Sequence, residues 1–213
     1  MIDKNDITAI ILSGGRGSRM GGTDKGLQNF NGIPMALHAL MRVGGQVGYS
    51  MINANRNLSA YEAFGADVWP DGNDDFAGPL SGFAVGLEHC ETPYLLTVPC
   101  DTPFFPLDIA SRLYWGLQAE MLPDGTDGTK GTGGAAIAMA AQGGHTQPVF
   151  CLIKSDMLES LLAFMKAGGR KIDAWTATQH TVIVPFDEPT DDPRAFANAN
   201  TLQELLALEN ESQ

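Results

Sequence analysis

The stretch ITAIILSGGRGSRMGGTDKGL (residues 7–27) joins an apolar run directly to a segment that is rich in glycine and in basic residues. Its first part, ITAIIL (residues 7–12), is mostly β-branched and aliphatic, which is typical of a parallel strand that is buried on both faces. Residues 12–27 then hold six glycines, two arginines and one lysine. Because ligands bind at the carboxyl ends of strands in open α/β sheets, the stretch predicts a ligand site at the exit of the first strand.

Segments with strand and helix patterns alternate along the rest of the chain. Further strand-like apolar runs lie at residues 49–55, 66–71, 94–101, 133–141, 148–154 and 180–186. Helix-like segments have apolar residues three and four apart or a proline near the start, and lie at 31–45, 78–90, 107–122, 155–169 and 201–208. This alternation predicts a three-layer α/β fold with a mostly parallel sheet. The last helix opens with Thr201 and Glu204 in capping-box spacing.

Two segments are interpreted as connections rather than as regular structure. QGGHTQ (residues 142–147) is polar and separates two of the predicted strands. PDGTDGTKGTGG (residues 123–134) is rich in glycine, threonine and aspartate and poor in apolar residues, which predicts a mobile surface insertion. The chain has 213 residues and no internal repeat, so we expect a single domain over residues 1–213.

The charge balance excludes some partners. The chain has 25 acidic and 13 basic residues and a formal net charge of −12 at pH 7, whereas a nucleic-acid binder needs a basic surface.

The apolar runs of the chain are too short to span a bilayer, and its first residues, MIDKND, lack an apolar signal region. The three cysteines match neither a zinc pattern nor a CxxC pattern, which fits a reducing compartment. We expect a cytoplasmic monomer that binds neither nucleic acid nor membranes.

The glycine-rich segment does not match the two standard phosphate loops. A Walker A loop needs a lysine after its last glycine in a frame that is absent here, and the dinucleotide fingerprint fails because Met20 replaces its third glycine. Gly14 and Gly15 would still let backbone N–H groups approach an anion, and Arg16, Arg19 and Lys25 would supply charge. This favours a triphosphate site over a glycine-rich turn with solvated basic residues.

Polar residues also stand where other predicted strands end. Asp101 follows an apolar strand in VPCDTPF (residues 98–104), where it could hold Mg²⁺ or serve as a turn-forming or helix-capping aspartate. Asn53 and Asp71 end two further strands and could contact a base or ribose, although both types are common in plain turns. Cys100 lies beside Asp101 but in a buried strand, which favours an inert thiol over a nucleophile.

Taken together, these segments resemble the bacterial molybdenum cofactor guanylyltransferases. The resemblance is carried by LSGGRGSRMGGTDKGL, INAN, FAGPLSG, VPCDTPF and FANANT, and their spacing agrees over nearly the whole chain. It implies a Rossmann-like nucleotidyltransferase fold, similar to that of sugar-nucleotide pyrophosphorylases. It also implies transfer of GMP from Mg·GTP to the phosphate of molybdenum-molybdopterin, with release of pyrophosphate. Ser13 stands where the family more commonly has alanine, a small-for-small change.

The resemblance assigns roles residue by residue. The backbone of Leu12, Ser13 and Gly14 would touch the guanine end of GTP, and Lys25 its phosphates. Gly15 and Arg19 match the part of the loop that passes the phosphates, and Asp101 would bind Mg²⁺. The nucleotide site would also include Asn53 and Asp71, and the late Asn-x-Asn motif of Asn198 and Asn200 would lie near the metal and the pterin phosphate.

The second half of the chain would bind the acceptor. By resemblance, residues 143–150 with His145, and the pair Arg170 and Lys171, line the molybdopterin side, so that nucleotide binding occupies about residues 1–110 and acceptor binding about 111–213. Further partners in such a pathway would be molybdoenzyme chaperones or a GTP-binding helper protein.

The absence of a catalytic acid–base arrangement fits this chemistry. The attacking phosphate is already ionised near pH 7, so the protein needs positioning and positive charge rather than a general base. Three alternatives stay open at this point: transfer of CMP to the same acceptor, transfer to a sugar 1-phosphate, and a catalytically silent nucleotide-binding regulator.

Overall fold

The computed structural model describes residues 2–14, 24–72, 78–119 and 134–210. Expectations for Gly15, Arg16 and Arg19, and for nearly all of the 123–134 segment, therefore lie outside the described residues. Nine strands are described: β1 (Ile7–Leu12), β2 (Asn29–Phe30), β3 (Ile33–Pro34), β4 (Tyr49–Asn53), β5 (Asp67–Trp69), β6 (Tyr94–Pro99), β7 (Ile137–Gln142), β8 (His145–Lys154) and β9 (Thr181–Pro185).

The described helices are α1 (Met35–Gly44), α2 (Leu58–Glu62), α3 (Pro79–Glu88), α4 (Ile109–Ala119), α5 (Leu158–Lys166), α6 (Ile172–Thr176) and α7 (Leu202–Asn210). Single 3₁₀ turns precede β1, follow β1 at Lys25–Leu27 and precede α5. The longer helices lie where the sequence predicts them. The sequence does not predict α2 and α6, because five residues are too few to display a helical period.

Seven strands form one sheet in the order β5-β4-β1-β6-β8-β7-β9. Strand β1 pairs in parallel with both β4 and β6, and β4 and β7 pair in parallel with β5 and β9. Strand β8 is antiparallel to both of its neighbours. The prediction of a mostly parallel sheet is therefore confirmed.

Helices cover both faces of this sheet, which confirms the three-layer prediction. Alternate residues of β1 explain why its sequence is apolar apart from Thr8: Ile7, Ala9 and Ile11 pack into a core with α1 and α4. Ile10 faces the opposite side, into a core with α3, α5 and α6. Burial of both faces removes the need for a polar side of the strand.

The connection between β7 and β8 differs from the prediction. The polar segment 142–147 is not a loop, because β7 runs to Gln142 and β8 begins at His145. Gly143 and Gly144 form the whole turn, with φ angles of +58° and +77° that suit a two-residue hairpin turn. The prediction was wrong because the hairpin tip extends into solvent, where its strands need no apolar residues.

Arg112 ties the segment after β9 to helix α4. Its guanidinium donates to Asp191 Oδ1 and Oδ2 at 2.6 and 3.1 Å and to the Pro185 carbonyl at 2.8 Å, and it lies 3.8 Å from the Phe186 ring centroid. The hydrogen bonds from Arg112 hold the pKa of Asp191 below its usual range. The pair is mostly shielded from water and anchors the chain that leads to Asn198 and Asn200.

We expect Arg112→Met to lower the free energy of unfolding at pH 7 by about 1–2 kcal/mol, since it removes a charged, bidentate contact. Because the folded-state pKa of Asp191 is lowered, its contribution is complete above the unfolded pKa of about 3.9 and is lost as pH falls through the folded-state pKa. The difference between wild type and variant, measured by urea unfolding, should therefore shrink below pH 4. Removal of the exposed charge at Lys166 (Lys166→Met) is the matched control, and an equal loss there would contradict the role of Arg112.

Candidate active site

The predicted site residues meet at one edge of the sheet, where β4, β1 and β6 end side by side. Leu12 at the end of β1 lies opposite both Asn53 of β4 and Pro99 of β6. Beyond β1, Ser13 N donates to the Asn53 carbonyl at 2.8 Å, and Cys100 N donates to the Leu12 carbonyl at 3.2 Å. The polar residues that follow these strands are thereby brought to a common edge.

A first group of polar residues, the asparagine cluster, consists of Gly14, Asn53, Asn55 and Asp71. Asn53 Nδ2 donates to Asp71 Oδ1 at 2.9 Å, and Asn55 Nδ2 donates to Asp71 Oδ2 at 2.8 Å. Asn55 Nδ2 also lies 3.2 Å from the Gly14 carbonyl, while Asn55 Oδ1 accepts from Asp71 N at 2.7 Å. The cluster thus joins the start of the glycine-rich segment to the carboxylate that follows β5.

Sequence reasoning named three members of the asparagine cluster and missed Asn55. A signal was present, because Asn55 lies in the quoted motif INAN, two residues beyond Asn53. Asparagine is also frequent in turns, so its bridging role becomes visible only from the folded structure. Gly14 itself has close neighbours, since a Cβ there would lie 2.8 Å from Asn53 Oδ1.

Helix α3 closes the back of the asparagine cluster through Gly82. A Cβ at Gly82 would lie 2.5 Å from Leu12 Cδ2 and 2.8 Å from Asn53 Oδ1. The Asn53 side chain cannot move aside freely, because its amide also donates to the Trp69 carbonyl at 3.1 Å. Glycine is therefore required for the helix to approach the ends of β1 and β4 this closely.

A second group, the lysine cluster, consists of Lys25, Asp101, Asn198 and Asn200. Lys25 Nζ forms an ion pair with Asp101 Oδ2 and donates to Asn200 Oδ1 at 3.0 Å. Asn200 Nδ2 donates in turn to Asn198 Oδ1 at 3.2 Å. Lys25 and Asn200 are 175 residues apart in sequence, so this cluster is a product of the fold.

The N-terminus of α7 fixes Asn200. Glu204 Oε2 accepts from Asn200 N at 2.6 Å and from Thr201 N at 3.0 Å, and Thr201 Oγ1 accepts from Glu204 N at 3.2 Å. The capping box predicted from sequence is therefore confirmed. In addition, Ala199 N donates to the Asp101 carbonyl at 2.9 Å, which ties the Asn-x-Asn motif to the end of β6.

Helix α1 and the turn that follows it support the loop that carries Asp101. The Arg42 guanidinium donates to the carbonyls of Phe105 and Phe104, the latter at 3.1 Å. Gln46 Nε2 donates to the Pro106 carbonyl at 3.2 Å, and Gln46 Oε1 accepts from Ala110 N at 3.1 Å. Burial lowers the pKa of Arg42, yet a guanidinium remains charged in proteins and keeps its donors. These hydrogen bonds fix the backbone of the loop that follows Asp101.

The oxygen donors of the lysine cluster fit a hard divalent cation such as Mg²⁺. Asp101 provides a carboxylate, and Asn198 and Asn200 provide amide oxygens, the ligand types that such ions prefer. Within the described part of the chain there is no group of three or more histidine, cysteine, aspartate or glutamate residues that could enclose a metal. Mg²⁺ is commonly held by one or two carboxylates, with substrate phosphates and water completing its coordination.

Cys100 lies next to Asp101 in sequence but has no chemical access. Burial, and then the negative charge of Asp101, raise the pKa of the Cys100 thiol to about 12. Its side chain is buried, so the thiolate form is suppressed at neutral pH. This burial is what the prediction of an inert thiol requires.

The residues assigned to the acceptor lie at two other places. His145 is exposed at the tip of the β7–β8 hairpin, and the parallel course of β6 and β7 puts that tip at the same edge as Asp101. Arg170 donates to the carbonyls of Met165 and Gly169, both at 2.8 Å, at the end of α5. The carbonyl of Arg170, the residue before Lys171, lies near Gly78, which directly precedes α3. Arg19 and Gly15 lie outside the described residues.

The whole structure shares its fold with solved nucleotidyltransferases. It superposes with a TM-score of 0.74 on a molybdopterin-guanine dinucleotide biosynthesis protein A from Archaeoglobus fulgidus, covering 97% of this chain and 98% of that one at 18% identity. The TM-score is 0.68 for a CMP:2-keto-3-deoxy-manno-octonic acid synthetase solved with CTP, with 97% of each chain covered at 12% identity. These likenesses show that the chain has the fold of these nucleotidyltransferases.

The sequence comparisons narrow this class to a family. Residues 9–182 match the MobA-like NTP transferase domain. A molybdenum cofactor guanylyltransferase from Acidovorax sp. (strain JS42) is 60% identical over 98% of both chains. Another from Bordetella petrii is also 60% identical, over 98% of this chain and 100% of its own. The chain belongs to the MobA-like NTP transferases and, among them, to the molybdenum cofactor guanylyltransferase family.

We expect Gly82→Ala to destabilise the protein by about 1–2 kcal/mol, since the added methyl group would displace Leu12 or break the hydrogen bonds of Asn53. Gly44→Ala is the matched control, because a Cβ there at the end of α1 would meet no atom within 4 Å. That variant should leave stability unchanged or raise it by up to about 1 kcal/mol. Chemical unfolding of both variants measures the difference, and equal stabilities would contradict the tight approach of α3.

Proposed function

We propose that the chain transfers GMP from Mg·GTP to the terminal phosphate of molybdenum-molybdopterin and releases pyrophosphate. The observation that carries this proposal is the meeting of Lys25, Asp101 and Asn200 at the sheet edge. A cation and a metal-binding carboxylate held side by side suit a nucleoside triphosphate. The names of the full-length relatives support guanine and the molybdenum cofactor as the substrate chemistry.

The nucleoside would lie against the asparagine cluster. Asp71 has two carboxylate oxygens that are oriented by Asn53 and Asn55, and a carboxylate can accept from guanine N–H groups or from ribose hydroxyls. The backbone of Leu12, Ser13 and Gly14 runs past the same cluster and would contact the base. Asn55 donates hydrogen bonds to both Gly14 and Asp71. The two sides of the proposed nucleoside site would therefore be held in position before the nucleotide binds.

The triphosphate would extend from there to the lysine cluster. Lys25 would contact the phosphates, and Arg19 is proposed to add a second cation there. Mg²⁺ held by Asp101 would neutralise phosphate charge, with Asn198 and Asn200 placed to support it. Lys25 and Arg19 are two of only 13 basic residues in a chain of net charge −12. Their proposed placement here fits a site that must attract anions.

The reaction needs no general base from the protein. An ionised phosphate oxygen of the acceptor attacks the α-phosphorus of GTP, a new P–O bond forms, and the bond to the β-phosphate oxygen breaks. Pyrophosphate leaves with that electron pair. The chain's task is to hold two anionic reactants together and to offset their repulsion, for which Lys25 and the cations around it serve.

The acceptor would bind on the side of the second half of the chain. The hairpin tip with His145 and the segment with Arg170 and Lys171, both within residues 111–213, would contact the acceptor, while residues 1–110 bind the nucleotide.

We propose that both halves act within one nucleotidyltransferase domain, as a monomer in the cytoplasm. Molybdoenzyme chaperones or a GTP-binding helper protein would be further partners. Among the described residues no helix is long and apolar enough to cross a membrane.

Isothermal titration with GTP, CTP and ATP, each with Mg²⁺, is the direct test of this proposal. We expect GTP to bind at least tenfold more tightly than CTP or ATP. Preference for CTP would move the chain to cytidylyl transfer, and binding of none of the three would contradict the site. Pyrophosphate release on addition of molybdopterin, but not of a sugar 1-phosphate, would separate the proposed transferase from a sugar nucleotidyltransferase and from a silent regulator.

We expect Asp101→Asn to lower Mg²⁺-dependent pyrophosphate release by about 100-fold or more, because the amide keeps the shape but loses the charge that would bind the metal. Asp67→Asn is the matched control, since Asp67 is exposed at the start of β5 and pairs with Met51 rather than with the strand ends that carry the site. Turnover by Asp101→Asn close to that of the wild type would overturn the metal assignment. Thermal unfolding of both variants checks that the fold is retained.

A further inference from the structure

Tyr61 approaches the backbone on both sides of Lys25. Its hydroxyl donates to Asp24 Oδ1, directly before Lys25, at 2.6 Å. Directly after Lys25, a Cβ at Gly26 would overlap the same hydroxyl oxygen. One buried group therefore contacts the residue before and the residue after the lysine, while the Lys25 side chain extends to Asp101 and Asn200.

Both members of the Tyr61–Asp24 pair are shielded from water. Tyr61 is 0% exposed and Asp24 is 7% exposed. Burial, and then the hydrogen bond to Asp24, raise the pKa of Tyr61 far above its ordinary value, so the hydroxyl remains a donor at any physiological pH. A hydrogen bond to a buried carboxylate is stronger than one between neutral groups, and loss of the donor leaves a buried charge less well satisfied.

Other groups around α2 complete the support of Asp24. Asn57 Nδ2 donates to Asp24 Oδ2 at 3.0 Å, and Arg56 Nε lies 3.5 Å from the same oxygen. The aspartate is thus held by three side chains from residues 56–61. Among the described residues, no hydrogen bond or ion pair joins Asp24 or Tyr61 to Asp101 or Asn200. An effect of the Tyr61–Asp24 pair on the site would therefore pass through the position of the Lys25 backbone.

We propose that Tyr61 is a positioning residue that, through Asp24 and Gly26, fixes where the Lys25 ammonium lies in the active site. The lysine side chain has four rotatable bonds and its backbone stands in a single 3₁₀ turn, so an unrestrained segment would spread the ammonium over many positions. Anchoring the turn removes that freedom before the nucleotide binds. The inference rests on the proposed contact of Lys25 with the triphosphate.

A double-mutant cycle distinguishes positioning from simple support of the core. Tyr61→Phe removes one hydroxyl and keeps the buried ring, and it is measured in the wild-type background and in the Lys25→Met background. The readouts are the dissociation constant for Mg·GTP and kcat/KM for pyrophosphate release, with the melting temperature as a check on folding. Tyr94→Phe is the matched control, because the Tyr94 hydroxyl lies at the far end of β6, near Gln118.

If Tyr61 acts through Lys25, we expect Tyr61→Phe to lower kcat/KM and nucleotide affinity about tenfold in the wild-type background, and less than about twofold where Lys25 is already methionine. Tyr94→Phe should change neither by more than about twofold. Asp24→Asn, which keeps an acceptor for the hydroxyl but removes the charge, should fall between wild type and Tyr61→Phe.

Two results would overturn the inference alone: full activity of Tyr61→Phe, or an equal loss in both backgrounds, which would mean a general effect of core packing. A Tyr61→Phe protein that does not fold is replaced in the cycle by Asp24→Asn, which leaves the tyrosine in place. Failure of the wild type itself to bind any nucleotide would overturn the proposed function and this inference with it, so the two failures are distinguishable.

Discussion

The pairing of β1 with β4 on one side and with β6 on the other is the constraint on which the rest of the structure depends. It places Leu12 opposite both Asn53 and Pro99, so that three chain segments leave the sheet at the same edge. Each segment carries a different polar group, and each is too polar to continue the buried strand. The sheet therefore brings together an asparagine cluster and a lysine cluster that local sequence could not assemble.

Both clusters are held in shape by groups behind them. Asn55 bridges Gly14 and Asp71, Glu204 holds the backbone at Asn200, and Arg42 holds the carbonyls that follow Asp101. Such fixed geometry favours charge stabilisation, because donors and cations that are already in place need no reorganisation when substrate arrives. The proposed reaction between two anions would depend on this more than on any proton transfer.

The seven strands of the main sheet and the longer helices were predictable because buried strands and amphipathic helices have distinct periods in the sequence, whereas β2 and β3, with two residues each, were not predicted. The exceptions follow from the same logic. The β7–β8 hairpin tip is polar because it stands in solvent, and α2 and α6 are too short to show a period. In the site, strand-end residues such as Asp101 and Asn53 were predictable by position, whereas Asn55, Asp24 and Tyr61 have ordinary local patterns.

The sequence by itself determined the fold class, the sheet edge at which polar residues collect, and the capping box of α7, because each depends on local patterns. The family resemblance drew on motif spacing and is supported by relatives of about 60% identity. Only the tertiary structure decided that Lys25 meets Asn200 across 175 residues, and that one buried tyrosine contacts both neighbours of Lys25. Such contacts depend on how distant strands and helices pack, and no local pattern encodes that distance.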